Sequence, residues 1–223
     1  MTRYECLQLI APLMTDHLVV TSQSGQRIEW NHLSDHEGNL LLGMMGCALG
    51  VGIGLALALP HRRVVVLESD GSILLSLFNM PPLAQLNPAN LAVFVLDNGV
   101  YSGSRISEPT ATAGRTDLEK VATGAGIRQA MTIRNTRAFK KEGIAALKKK
   151  GLALHRLQGR GESRASTNSA SHDRSLRKQI QICQIPRANR RKGHPVFGPG
   201  LATQKPSAVE GGRHVAHVQG SQS

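Results

Sequence analysis

Two residues in the first half of the chain have types and spacing that could do chemistry together. The apolar run Val64–Leu67 leads into Glu-Ser-Asp-Gly-Ser, and the run Leu91–Leu96 leads into Asp-Asn-Gly-Val-Tyr. Asp70 and Asn98 thus stand at the carboxyl ends of two such runs, 28 positions apart. That is the length of one helix plus one strand in a right-handed crossover between parallel neighbours. A carboxylate, an amide oxygen and a nearby backbone carbonyl are hard oxygen ligands, a set that suits Mg2+ holding waters and phosphates rather than zinc. Gly71 and Ser72 open the helix after Asp70, where free N–H groups and the positive helix end favour a phosphate. Asp-Gly after a strand is otherwise an ordinary turn; the correctly spaced Asn98 and the glycine-rich segment upstream set it apart.

The elements that must position these residues alternate along the chain. The sequence predicts a helix near Thr2–Met14, a strand at Leu18–Thr21, a glycine-spaced helix after Gly43, and a strand at Arg63–Leu67. A helical stretch follows from Ser72 to Leu86, then the strand Leu91–Leu96, a helix at Asp117–Gly124, a short strand at Arg128–Ile133 and a Lys-rich helix at Thr136–Lys150. Both central strands are solidly apolar rather than alternating, as in a parallel sheet covered on both faces. The expected class is α/β, an open parallel sheet flanked by helices. Pro81 and Pro82 fall inside the crossover helix, where a kink or early stop is expected. The apolar segment Leu40–Pro60 approaches bilayer length, but its glycines at 43, 46, 50, 52 and 54 and the stop at Pro60 read as a buried helix, with no membrane contact.

Charge is held unevenly. Residues 1–154 carry 15 Lys/Arg and 12 Asp/Glu, whereas residues 155–223 carry 12 and 3, so the basicity belongs to the tail. That tail has one aromatic, Phe197, and too little apolar content to offset chain entropy, and is expected to be disordered. Cys6, Cys47 and Cys183 form no CxxC and no even framework, which suits a reducing compartment; with no secretory leader at the amino terminus, a cytoplasmic protein is expected. His32 and His36 flank Asp35 with Glu37 beside them, but Gly38 breaks the segment, so a solvated loop is the expected reading rather than a metal pair. The lysines of 140–150 read as the wet face of a helix.

Together these residues resemble the thiamine diphosphate motif, a Gly-Asp-Gly followed after one crossover by Asn-Asn, with "SDGS" and "DNGVY" in those places. The upstream "LLGMMGCALGVGIGLALALPHRRVVVLESDG" and the loop "PTATAGRTDLEKVATGAGI" resemble the same group over residues 1–154. The resemblance is to the diphosphate-binding domain of the sulfopyruvate and phosphonopyruvate decarboxylases. It implies thiamine diphosphate and Mg2+ as cofactors, with Asp70 and Asn98 ligating the metal by side chain and Val100 by its carbonyl. It further implies that Gly71 and Ser72 contact the diphosphate and that Met45 props the cofactor in its bent form; by default Met44 and Met45 are core filler on an apolar helix. The implied reaction is decarboxylation of a small 2-oxo acid.

Departures from the pattern shape the expectations. Ser69 replaces the first glycine and Asp97 the first asparagine, which adds charge near the metal. The resemblance leaves no room for a pyrimidine-binding domain, so no catalytic residue is assigned in this chain, and the activating glutamate is expected on a partner α-type subunit. The competing readings are a cofactor-binding remnant without turnover and a basic nucleic-acid-binding protein; the near-absence of aromatics from the tail and the near-balanced charge of residues 1–154 argue against the latter. The family's closing strand, of the type Phe-Ile-Val-x-Lys-Val-Glu, is expected to be missing or altered where "LHRLQGR" stands. Read from the second base of each codon, Leu154–Arg160 can encode Phe-Ile-Val-Phe-Lys-Val-Glu, and Arg177–Ile185 can encode Glu-Asn-Lys-Tyr-Arg-Phe-Val-Arg-Tyr. Two origins for the tail therefore stand side by side, a change of reading frame and a genuine basic extension.

Overall fold

The computed structural model describes residues 1–23, 25–101 and 108–159. Its strands in chain order are β1 (Leu18–Thr21), β2 (Asn39–Leu41), β3 (Val64–Ser69), β4 (Leu91–Asp97), β5 (Val100–Tyr101), β6 (Glu108–Pro109), β7 (Ala130–Ile133) and β8 (Ala153–Gln158). Six of them form one parallel sheet in the order β2-β1-β3-β4-β8-β7, and β5 pairs with β6 in a small antiparallel ribbon. The helices are α1 (Arg3–Ile10), α2 (Gly25–Leu33), α3 (Ala48–Ala58), α4 (Asp70–Leu74), α5 (Met80–Leu86), α6 (Leu118–Gly124), α7 (Thr136–Ala138) and α8 (Ile144–Lys148). A π-helical turn, Phe139–Gly143, joins α7 to α8.

The solid apolar runs behave as a doubly covered sheet requires. Every residue of β3 and β4 is buried, and successive residues go to opposite layers. Val65, Leu67, Ala92 and Phe94 pack with Leu7 and Ile10 of α1, Trp30 of α2 and Phe139. Val64, Val66, Val93 and Val95 pack with Leu49 and Ile53 of α3, Leu83 of α5 and Leu118 of α6. One glycine of α3 is fixed by this packing: a Cβ on Gly52 would lie 2.2 Å from the Val66 side chain, so the helix rests directly on β3. The α3 segment is 11 residues long, and no helix among the described residues is long and apolar enough to cross a membrane.

The expected break in the crossover is present, upstream of the prolines. Helix α4 ends at Leu74, a 3-10 turn spans Leu77–Asn79, and Pro81 and Pro82 sit in the first turn of α5. There the missing N–H groups have no intrahelical partner to lose, so the prolines start a helix instead of breaking one.

Where the last strand is expected to be missing or altered, a strand is present. Ala153–Gln158 form β8, which lies between β4 and β7 with both of its backbone edges paired, so the sheet lacks no strand there. The strand runs four residues past the expected boundary at 154, to Gln158. Ala153, Leu154 and Leu157 supply the apolar contacts, which is enough for a short strand with a neighbour on each side. Two polar residues are buried in it, His155 and Arg156. The expectations for the rest of the tail, disorder and the second reading frame included, lie outside the described residues.

His155 makes a testable mark on stability. Its ring stands edge-on to Phe94 at 5.7 Å, Nδ1 has no hydrogen-bond partner, and burial pulls the imidazole down to about 4. A folded value below the unfolded one means that stability is present above about 6.5 and is lost as pH falls from there through about 4. The loss amounts to ~3 kcal/mol when complete. His155→Ile is expected to remove most of this acid sensitivity. Urea midpoints at pH 7.5 and 4.5 check it, and equal falls in the two proteins would refute it.

Candidate functional site

The strand ends bring the sequence-predicted pair together. β3 and β4 are parallel with Ser69 opposite Leu96, so Asp70 and Asp97 leave the sheet side by side and Asn98 comes next. Ser69 caps α4, its Oγ accepting the Ser72 N–H at 3.3 Å, and this cap seats Asp70 in the first turn of the helix. Asp70 is 1% exposed. Its Oδ2 accepts the hydroxyls of Thr110 at 2.6 Å and Thr112 at 3.0 Å, while Oδ1 is buried with no hydrogen-bond partner. Burial holds this carboxyl above the usual carboxylate range; the Thr110 hydroxyl opposes the shift and the charge of Asp97 adds to it.

Asp97 is the second carboxylate at the joint. Its Oδ1 accepts the Gly99 N–H at 3.0 Å and faces the Thr112 hydroxyl at 2.9 Å, and its Oδ2 accepts from Arg156 Nε at 2.6 Å. The turn after β4 is tight: Gly99 has φ +74°, and the Asn98 Oδ1 accepts the Val100 N–H at 3.2 Å. Val100 then enters β5.

Three predicted cofactor residues lie close together around the start of α4. Met45 is half-buried in the bend before α3, and Met44 beside it is 66% exposed, so neither lies on the helix or fills the core as the default reading of Met44 and Met45 held. Ser72 is buried, and its Oγ accepts the Gly46 N–H at 2.8 Å, which ties the methionine bend to α4. Gly71 lies under the Tyr101 ring, where a Cβ would come within 2.4 Å of Cε1, so Gly71 is required by close packing. His36 Nδ1 accepts the Gly38 N–H at 2.9 Å in the loop after α2, and no group of three His, Cys, Asp or Glu side chains among the described residues could hold a metal.

Residues 20–155 match the family described as thiamine pyrophosphate enzyme, C-terminal TPP binding domain. The chain belongs to this family. Among curated proteins, this TPP-binding domain is similar to sulfopyruvate decarboxylase subunit beta of Methanocaldococcus jannaschii, 36% identical over 115 residues that make up 51% of this chain and 60% of that one. It is likewise similar to phosphonopyruvate decarboxylase of Streptomyces viridochromogenes, 36% identical over 129 residues, 57% of this chain and 32% of that one. The thiamine diphosphate-dependent 4-hydroxybenzoylformate decarboxylase of Rhodococcus jostii RHA1 shares the fold, with a TM-score of 0.58 at 18% identity over 73% of this chain and 33% of that one. The chain thus spans between about a third and three fifths of the length of these relatives.

The residues present fit a hard dication. Two buried carboxylates meet at the strand ends and one guanidinium offsets one of them, which leaves a single negative charge and a bare Oδ1 on Asp70. A further buried carboxylate near the site, Glu68, was not singled out in the sequence. Its Oε1 accepts the Leu49 N–H at 3.2 Å at the start of α3, its Oε2 has no partner, and burial raises its pKa. Thr110, Thr112, Tyr101 and Arg156 were also missed. The two threonines lie in a loop that sequence reading had singled out, and their i, i+2 spacing after Pro109 was the available signal. Arg156 had only its isolation in an apolar stretch to mark it.

Proposed function

We propose that this TPP-binding domain is the diphosphate-binding subunit of a thiamine diphosphate- and Mg2+-dependent decarboxylase of small 2-oxo acids. The observation that carries the reading is the bare, buried Oδ1 of Asp70 at the end of β3. An unpaired buried carboxylate oxygen is costly unless a cation or a proton meets it. Asp70 and Asn98 by side chain and Val100 by its carbonyl would hold Mg2+, with Thr110 and Thr112 fixing the orientation of the Asp70 carboxyl. Gly71 and Ser72 at the start of α4 would meet the diphosphate, and Met45 the body of the cofactor. Thiamine diphosphate, when bound, supplies the nucleophilic carbon and the electron sink that decarboxylation of a 2-oxo acid needs. The protein's share is to hold the diphosphate end, orient the rest and exclude water.

The names of the relatives support sulfopyruvate or phosphonopyruvate as the substrate type, and the designation of one of them as subunit beta supports assembly with an α-type, pyrimidine-binding partner that brings the activating glutamate. Titration calorimetry on the purified chain tests the cofactor part. Thiamine diphosphate is expected to bind weakly with Mg2+ present and not at all in EDTA, because a dication held by Asp70, Asn98 and Val100 would offset the repulsion between the anionic diphosphate and the anionic site. Equal affinity under the two conditions would remove the metal from the reading.

A further inference from the structure

Asp97 is the residue that most changes the electrostatics of this site, since it stands where the resemblance has a neutral asparagine and is itself buried beside Asp70. We propose that Arg156 is a positioning residue for the metal site: it takes up the charge of Asp97, leaves the Thr112 hydroxyl proton to Asp70, and so keeps Oδ1 of Asp70 as the atom offered to the cation. The inference rests on the metal-site reading above.

Proton counting carries it. Thr112 has one hydroxyl proton, and its Oγ1 lies 3.0 Å from Asp70 Oδ2, 2.9 Å from Asp97 Oδ1 and 2.8 Å from Thr110 Oγ1. One proton cannot serve both carboxylates. Asp97 already receives the Gly99 N–H at 3.0 Å and the Arg156 Nε–H at 2.6 Å, whereas Asp70 otherwise has the Thr110 hydroxyl alone. The proton therefore goes to Asp70, and both threonines act on its Oδ2. The geometry of β8 makes this possible. Arg156 pairs in register with Val95, so its side chain lies on the same face as that of Asp97 and reaches toward the strand end. It also comes within 3.6 Å of Asp117, the residue that caps α6. Both members of the Arg156–Asp97 pair are buried, at 6% and 3% side-chain exposure, where removing one partner leaves the other charge uncompensated. Without the guanidinium, Asp97 would compete with Asp70 for the Thr112 proton and for the cation.

The test is calorimetry with Mg2+ and thiamine diphosphate, together with thermal melts, on the full chain and on Arg156→Val, Asp97→Asn and the double variant. Arg156→Val is expected to weaken binding at least ~10-fold, the scale of losing a supporting residue around a metal. Adding Asp97→Asn is expected to bring affinity back to within about threefold of wild type, because a neutral amide needs no guanidinium. A pair with a merely structural role would lower the melting temperature of Arg156→Val without moving the affinity of the folded protein, and that result overturns the inference. If Arg156→Val does not fold, the double variant decides, and binding ~10-fold weaker than wild type overturns the inference. Valine is also among the residues the second reading frame can encode at 156, so an Arg156→Val chain that is more stable and binds more tightly than wild type likewise overturns it. A wild-type chain that takes up no cofactor removes the reading of the preceding section and this inference with it, whereas wild-type binding that Arg156→Val leaves intact removes this inference alone.

Discussion

Replacing Asp70 with alanine is expected to abolish Mg2+-dependent binding of thiamine diphosphate, a loss of more than ~100-fold, while leaving the metal-free fold as stable as wild type or more so. The two halves of this expectation come from the same atom. Oδ1 has no protein donor, so within the fold the carboxyl is a liability that only a cation or a proton relieves. Burial, with the charge of Asp97 added, raises its folded pKa above the unfolded value. For a carboxyl shifted that way, its contribution to stability is fully present below the unfolded pKa and is lost as pH rises through the folded one. At neutral pH without metal, Asp70 therefore works against the fold, and Asp70→Ala removes the cost. The hydroxyls it leaves behind have other acceptors, since Thr110 and Thr112 lie 2.8 Å apart and Thr112 lies 2.9 Å from Asp97. Calorimetry measures the binding half. Melts without metal at pH 5 and pH 8 measure the other, and a variant several degrees less stable than wild type at pH 8 would mean that Asp70 serves the fold rather than a cation.

How much of this was legible in the sequence depended on how the segment earns its place. Strands β1, β3 and β4 and the Asp70–Asn98 joint were readable because a fully covered strand needs an unbroken apolar run, and the polar residues ending it can only lie at the sheet's edge. Helix α2 and strand β2 were not. α2 buries Gln26 and Glu29 along with Trp30, and it does so because Gln26 bonds Ser22 and Glu29 pairs with Arg3 of α1, neither of which an apolar pattern can announce. β2 has three residues and is held by pairing with β1 and by the Asn39 Oδ1 that receives the Trp30 indole N–H. β8 was hidden for the same reason: its arginine is tolerated only because Asp97, distant in sequence, meets it. The general features of the site were thus local and visible, whereas the partners that tune it, Thr110, Thr112 and Arg156, are tertiary.

Turnover is expected only when this chain is mixed with a pyrimidine-binding α-type subunit, with decarboxylation of sulfopyruvate or phosphonopyruvate rising from undetectable to readily measured. No residue around Asp70 has been assigned the role of activating the cofactor ring, and in the proposed reading that glutamate arrives from the partner. The surface beside the site is suited to receive it. Met44 at 66%, Leu75 at 59% and Phe78 at 73% are the most exposed large apolar side chains among the described residues. A Cβ on Gly46 would lie 3.2 Å from that of Leu75, so the methionine bend abuts the end of α4, and Phe78 stands in the 3-10 turn that follows in sequence. Single exposed apolar residues need no explanation; in the proposed reading, several on the segments next to the site residues would be what a partner covers. The association is accordingly expected to be hydrophobic at its centre, and a bulky aromatic such as Phe78 to act as an anchor. Phe78→Asp should therefore abolish both complex formation and turnover in the mixture, while Mg2+-dependent cofactor binding by the isolated chain stays within about threefold of wild type, because Phe78 is not among the proposed ligands. Sedimentation of the mixture, read alongside the decarboxylation rate, separates the outcomes: full turnover by the isolated chain, or undiminished assembly of the Phe78→Asp chain, would place the missing glutamate or the docking surface elsewhere.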